Sequence, residues 1–179
     1  STGGYYDTNN NLLFNVIDTK LYAPDGTLVG DLYTDSDATP DKQCGEIIIA
    51  PVLRQNSCKY WVIYPMQVYN SDNTTYWKVC YNLVCSYGPT ILESGVISST
   101  PGTWHGGIAM SDFLPNTDAH RLFIVIPNAN TTIVQQWTID DRISLLATAE
   151  FGAPSIDIAE LDLSTDRTML VCAKLNLDG

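Results

Sequence analysis

The sequence predicts an all-β protein, and three observations carry that prediction: apolar runs of strand length, turn-forming residues between them, and one pair of runs that recurs along the chain. Runs of β-branched and aromatic residues about five to nine long alternate with clusters of Gly, Pro, Asn, Asp and Ser, the pattern of short antiparallel strands joined by tight turns. No stretch shows the spacing of an amphipathic helix.

Taken in order, the first strands are predicted over Leu12 to Ile17, Lys20 to Tyr22 and Thr27 to Tyr33, with Pro24-Asp25-Gly26 as a tight turn between the last two. Four more follow over Glu46 to Leu53, Tyr60 to Tyr69, Thr74 to Val84 and Thr90 to Ile97. They are divided by Arg54-Gln-Asn-Ser57, Asn70-Ser-Asp-Asn73 and Ser86-Tyr-Gly-Pro89. A third group comprises Gly107 to Phe113, Arg121 to Ile126, Thr131 to Ile139 and Arg142 to Phe151, with turns at Pro115 to Asp118, Pro127 to Asn130 and Asp140-Asp141. Ser155 to Leu163 and Thr168 to Leu177 close the series around Ser164-Thr-Asp-Arg167.

The third observation refines the class. EIIIAPVLRQNSCKYWVIYP from Glu46, IAMSDFLPNTDAHRLFIVIP from Ile108 and IDIAELDLSTDRTMLVCAKL from Ile156 each join an aliphatic strand, a polar turn and a strongly apolar strand. Four strands per unit, recurring every 45 to 60 residues or about that, is the sequence signature of β-propeller blades. The prediction is therefore a partial β-propeller of four-stranded antiparallel blades, a single unit over residues 1–179 with blade-like groups at about 5–33, 46–97, 107–151 and 155–177. A β-sandwich is the alternative, since it also uses short strands, but it does not require one strand pair to recur three times.

Tyr5-Tyr-Asp-Thr-Asn-Asn-Asn-Leu-Leu-Phe14, Leu21-Tyr-Ala-Pro-Asp-Gly-Thr-Leu28, Glu46-Ile-Ile-Ile-Ala-Pro-Val52 and Cys58-Lys-Tyr-Trp-Val-Ile-Tyr64 carry a family likeness. They resemble the N-terminal β-propeller region of Bacteroidetes cell-surface proteins exported by the gliding-associated, type IX secretion route. That resemblance implies a propeller fold, export and an extracellular or cell-surface location, and it brings no catalytic residues with it. Because a propeller must close its ring to cover its end blades, the open series ending at Gly179 leads us to expect a fragment of a longer chain, or strands supplied by another subunit.

Composition narrows the function classes. With 9 basic and 20 acidic residues, a formal charge of −11, the surface repels phosphate backbones, so nucleic acid is not an expected partner. At 45% hydrophobic and 16% charged residues the chain can bury a core, which excludes disorder. Its apolar runs, such as Leu122-Phe-Ile-Val-Ile126, fall far short of the roughly 20 residues of a membrane-spanning helix. Five cysteines, Cys44, Cys58, Cys80, Cys85 and Cys172, leave at least one thiol unpaired within a monomer. Cys80 and Cys85, five steps apart on one strand, are about 16 Å apart and cannot bridge. Cys80 and Cys172 read as buried small hydrophobes, and Cys44 and Cys58 as partly exposed.

No residue set reads as a catalytic centre, so the protein is expected not to be an enzyme. The candidate ligand contacts are Trp104 and His105, in a Gly-rich connection where propeller loops gather, with Trp104 suited to stacking on a sugar. His120, beside Arg121 in a turn, is expected to be exposed, and Trp61, Trp77 and Trp137 are expected in the core or in packing between blades. Asp7, Asn9 and Asn11 alternate like the opening of a calcium loop, but the glycine and distal Glu of an EF-hand are missing. Asp31, Asp35, Asp37 and Asp41 form the other acidic cluster. A solvated loop is the preferred reading of both, calcium the alternative, and no other cofactor is expected. Asn73-Thr-Thr75 and Asn130-Thr-Thr132 match the N-glycosylation sequon.

The leading expectation is a non-catalytic extracellular scaffold or adhesion module with protein or glycan surface partners. A structural subunit of an extracellular or viral appendage is the second. Third is a glycan-binding or glycan-acting protein using Glu93, Asp140 or Asp141, although adjacent Asp140 and Asp141 are better explained by a hairpin turn.

Overall fold

A computed structural model describes residues 2–33, 38–43, 46–52, 57–102, 106–111, 117–128, 131–152, 158–164 and 170–174. The regular structure in these residues is all β, and every strand pair is antiparallel. In the first sheet β1 (Thr2–Tyr6), β2 (Leu12–Ile17), β3 (Lys20–Tyr22) and β4 (Leu28–Asp31) lie side by side in chain order. The second sheet holds β5 (Ala38–Gln43), β6 (Ile48–Pro51), β7 (Lys59–Asn70), β8 (Thr75–Cys85) and β9 (Thr90–Pro101). Here β5 pairs with Met66 to Asn70 and β6 with Tyr60 to Ile63, so the two share one edge of β7 end to end. Along most of β7 the sheet is therefore four strands wide.

The third sheet again follows chain order: β10 (Gly107–Met110), β11 (His120–Asn128), β12 (Thr131–Ile139) and β13 (Ile143–Phe151). A hairpin of β14 (Ile158–Leu163) and β15 (Leu170–Lys174) completes the described chain. Two compact units result, residues 1–101 with the first two sheets and 102–179 with the rest. No helix among the described residues is long and apolar enough to cross a membrane.

In the N-terminal unit the two sheets face each other. Alternation puts Phe14, Val16 and Leu21 on the inner face of the first sheet and Val62, Tyr64, Met66 and Val68 on the facing side of β7. Cys80 and Val84 of β8 and Leu32 join this core, and all ten side chains are buried. Burial pushes the Tyr64 hydroxyl far above its ordinary range, so it stays neutral. The sheets stack inner strand on inner strand and outer on outer. Ile49 of β6 lies 3.5 Å from the Cβ position of Gly3 in β1, and Ile91 of β9 lies 3.6 Å from that of Gly30 in β4. A polar tie crosses between them: the buried Asn82 side chain donates to the Leu32 carbonyl at 2.8 Å, and within its own sheet it donates to Ser94 Oγ at 2.7 Å.

In the C-terminal unit β11 carries the core, with Leu122, Ile124, Val125 and Ile126 buried, and β14 lies beside β10. His120 departs from expectation. It is the first residue of β11, buried, with Nδ1 at 2.8 Å from the Ser111 carbonyl, because the strand begins one residue earlier than its apolar run and draws the ring inside. Trp61 and Trp77 are buried as expected, whereas Trp137 on β12 is only partly buried.

Two strands were not anticipated. β5, Ala-Thr-Pro-Asp-Lys-Gln, is polar and contains Pro40, which an edge strand tolerates at a bulge; the register shifts between Pro40 and Lys42. Asp41 thus lies on a strand and Asp31 ends another, while Asp35 and Asp37 are outside the described residues. β1 contains Gly3 and Gly4, which hide its strand character.

The outermost strand of each of the three larger sheets is bulged. Val29 in β4, Leu92 and Ile97 in β9, and Leu146 in β13 are each skipped by the ladder to the neighbouring strand.

The β2–β3 hairpin turns on Asp18 and Thr19, with φ of 46° and 63°. Two left-handed residues define a type I′ turn, which matches strand twist but suits Asn-Gly far better than a β-branched residue. Replacing this pair by Asp18→Asn with Thr19→Gly should stabilise the chain by about 1 kcal/mol in urea unfolding. An unchanged or lowered midpoint would show that the turn carries no strain.

Candidate functional site

Strand direction gathers several turns at one end of the N-terminal unit: the 7–11 turn after β1, the 23–27 turn after β3, and the 86–89 turn after β8, next to the start of β7. Three tyrosines lie at this end, and two of them meet. Tyr5 and Tyr60 lie with ring centroids 4.4 Å apart at 52°, and both lean on buried Phe14 at 6.1 and 5.6 Å. Each is half-buried, whereas Tyr87 at the tip of the 86–89 turn is 78% exposed, the most exposed large hydrophobic among the described residues. Burial raises the Tyr60 hydroxyl, with Tyr5, Tyr87 and Asp7 adding to the rise and a hydrogen bond from Ser86 opposing it. Burial alone raises Tyr5.

A disulfide fixes this end. Cys58 and Cys85 are bonded, with Cα atoms 4.9 Å apart, and the Ser86 N–H donates to the Cys58 carbonyl at 2.8 Å. Sequence reasoning left this pairing open, yet the signal was present. Folding the chain about the 70–73 turn brings Lys59 opposite Cys85, so the neighbouring Cys58 falls within bridging reach. Cys58 is partly exposed and Cys80 is a buried thiol outside the disulfide, both as expected. Cys44 and the Cys172 side chain lie outside the described residues.

Asp7, Asn9 and Asn11 come together, but as a turn. Asp7 Oδ1 accepts the N–H groups of Asn9 and Asn11, both at 2.8 Å, and Oδ2 accepts the Asn11 amide at 2.9 Å. The bond from the Asn11 side chain leads in holding the Asp7 carboxyl below the usual range. Both carboxylate oxygens thus already face N–H donors, and no group of three or more His, Cys, Asp or Glu among the described residues is placed to hold a metal ion. The same device recurs in other hairpins. Asp25 accepts the Thr27 N–H at 2.9 Å, Asp72 accepts the Thr74 N–H at 2.9 Å and its hydroxyl, and Asp140 accepts the Arg142 N–H at 2.8 Å. The Thr27 N–H and the Thr74 hydroxyl are the main causes lowering Asp25 and Asp72.

The carboxylates considered for glycan chemistry are placed elsewhere. Glu93 accepts the Tyr81 hydroxyl at 2.8 Å, and the Tyr81 ring covers Gly95 directly across the ladder, leaving less than 3 Å for a Cβ. Asp140 closes the β12–β13 turn with Asp141 beside it. Trp104 and His105 lie outside the described residues.

Comparison with known proteins finds no matching family model, no matching curated protein and no matching solved structure.

Two predictions follow from this geometry. Replacing Cys58 and Cys85 together by serine should cost about 2–4 kcal/mol in urea unfolding, since the bond closes a long loop of the unfolded chain; a cost below about 0.5 kcal/mol would mean that the β7–β8 ladder holds this end unaided. Asp7, Asp25 and Asp72 have depressed folded-state values, so their contribution is complete above the unfolded carboxylate range and is lost as pH falls through the folded values. Changing all three to Asn keeps an acceptor oxygen and removes the titration. That variant should lose less stability than the parent between about pH 4 and pH 2, and parallel curves would refute the link.

Proposed function

We propose that the chain is a non-catalytic, exported propeller module that holds a partner-binding surface outside the cell. The observation that carries the reading is the stacking of the first two sheets. The first is an up-and-down meander in chain order, and the second becomes one once β5 and β6 are taken together as the edge beside β7. The first strand of one sits on a first-edge strand of the next, and the strands β7 and β8 are buried on both faces. That is how blades pack around an axis, and a Greek-key sandwich connects its strands differently. Within the C-terminal unit β14 lies beside β10, repeating the same placement of first strands.

Support for the extracellular part comes from the Cys58–Cys85 bond, since disulfides persist in oxidising compartments, and from the resemblance to exported surface propellers. The non-catalytic part rests on the employment of Asp7, Asp25, Asp72 and Asp140 in turns and of Glu93 in a tyrosine contact.

Protein recovered from its own source should resist thiol alkylation at Cys58 and Cys85 until reduced. It should also retain ligands from glycan and peptide panels without releasing cleaved product. Ready alkylation of both cysteines would overturn export, and turnover of any panel member would overturn the scaffold role.

A further inference from the structure

The tyrosine end of the N-terminal unit has a chemistry that selects a partner. We propose that Tyr60, Tyr87 and Asp7 form a docking surface for a basic protein segment, with an Arg or Lys side chain laid against the tyrosine rings beside the carboxylate. The inference rests on the scaffold reading and names the site and the partner class.

Tyr87 is 78% exposed and lies within electrostatic reach of Tyr60, which packs with Tyr5 at the same end of the unit. The backbone that carries Tyr87 is held in place before any partner arrives, and Tyr5 and Tyr60 are held by their packing on Phe14. Ser86 is tied to the Cys58 carbonyl, the disulfide pins Cys85, Gly88 takes φ of 61°, and Pro89 follows it. A turn whose backbone is ordered in advance loses less entropy on binding, which is how Tyr-, Ser-, Gly- and Asn-rich loops gain affinity. The 7–11 and 86–89 turns consist largely of those residue types.

Charge chooses among partners. Asp7 keeps its carboxylate ionised through the bond from Asn11 and lies within electrostatic reach of Tyr60. Lys59, the neighbouring cation, points to the opposite face of β7 by strand alternation. A cation over a tyrosine face and next to a carboxylate gains from both, and a guanidinium also stacks flat on the ring. The formal charge of −11 steers such a segment inward and disfavours an acidic one.

The test uses the whole chain and an arginine-rich peptide, with the same peptide carrying neutral citrulline as its control, read by fluorescence anisotropy at two salt concentrations. The arginine peptide should bind about tenfold tighter or more than its citrulline twin. Tyr87→Ala should weaken it about three- to fivefold at unchanged circular dichroism, and Asp7→Asn by a similar factor. Tyr69→Ala, at an exposed aromatic on the far end of the same strand, should leave it unchanged. Tyr87→Ala does not alter net charge, so its effect separates docking from general acidity. Equal affinity for the two peptides, or a folded Tyr87→Ala variant that binds like the parent, overturns the proposal. Tyr87-dependent binding on a glycan array instead would transfer the surface to a sugar. In that case the scaffold reading survives, whereas turnover of a ligand would end it.

Discussion

The burial of one face of β7 is the constraint on which the N-terminal unit depends. Val62, Tyr64, Met66 and Val68 enter the core on alternate positions, and eleven consecutive pairs with β8, from Lys59–Cys85 to Tyr69–Thr75, hold that face in register. A slip of one residue would turn all four side chains away from Phe14, Val16 and Leu21. The 70–73 turn and the disulfide sit at opposite ends of this hairpin and oppose such a slip from both sides. Asn82 contributes specificity of another kind. Its side chain reaches the Leu32 carbonyl only when the two sheets are stacked at the observed level, and a displaced packing would leave that buried amide without its partner.

Much of this could be read from residues alone. Leu12–Ile17, Lys20–Tyr22 and Thr131–Ile139 form where β-branched and aliphatic runs predict them, and most other strands differ by a few residues at their ends. β5 escaped because its pairing comes from the long edge of β7 and not from its own composition, which is polar and interrupted by Pro40. His120 was misplaced for a related reason: nothing in a His-Arg dipeptide reveals that Ser111 waits across the ladder to take the imidazole. The site followed the same rule. Asp7, Asn9 and Asn11 were visible as a cluster, but the role of the carboxylate depends on which atoms face it. The aromatic end depends on Tyr5 and Tyr60 meeting across two sheets from positions 55 residues apart, a contact no local pattern encodes.

The acidic composition takes on a specific meaning in this light. Asp7, Asp25, Asp72 and Asp140 each accept the N–H two residues ahead, so they set the direction of four hairpins on both units. The net negative charge is thus partly a by-product of folding, because a meander needs many turns and aspartate builds them. The docking of a basic segment proposed above would draw on a charge laid down for that reason.

The bulges in the outer strands also limit what the chain can become when crowded. Each skipped residue shifts the outward alternation of amide and carbonyl by one position, so an incoming strand would stay in phase for only a short distance. Between interruptions β9 offers four regular residues at most and β13 five, below the six or seven of a steric zipper. Leu145, Leu146 and Phe151 can therefore remain solvent-facing on β13 without that edge seeding fibrils.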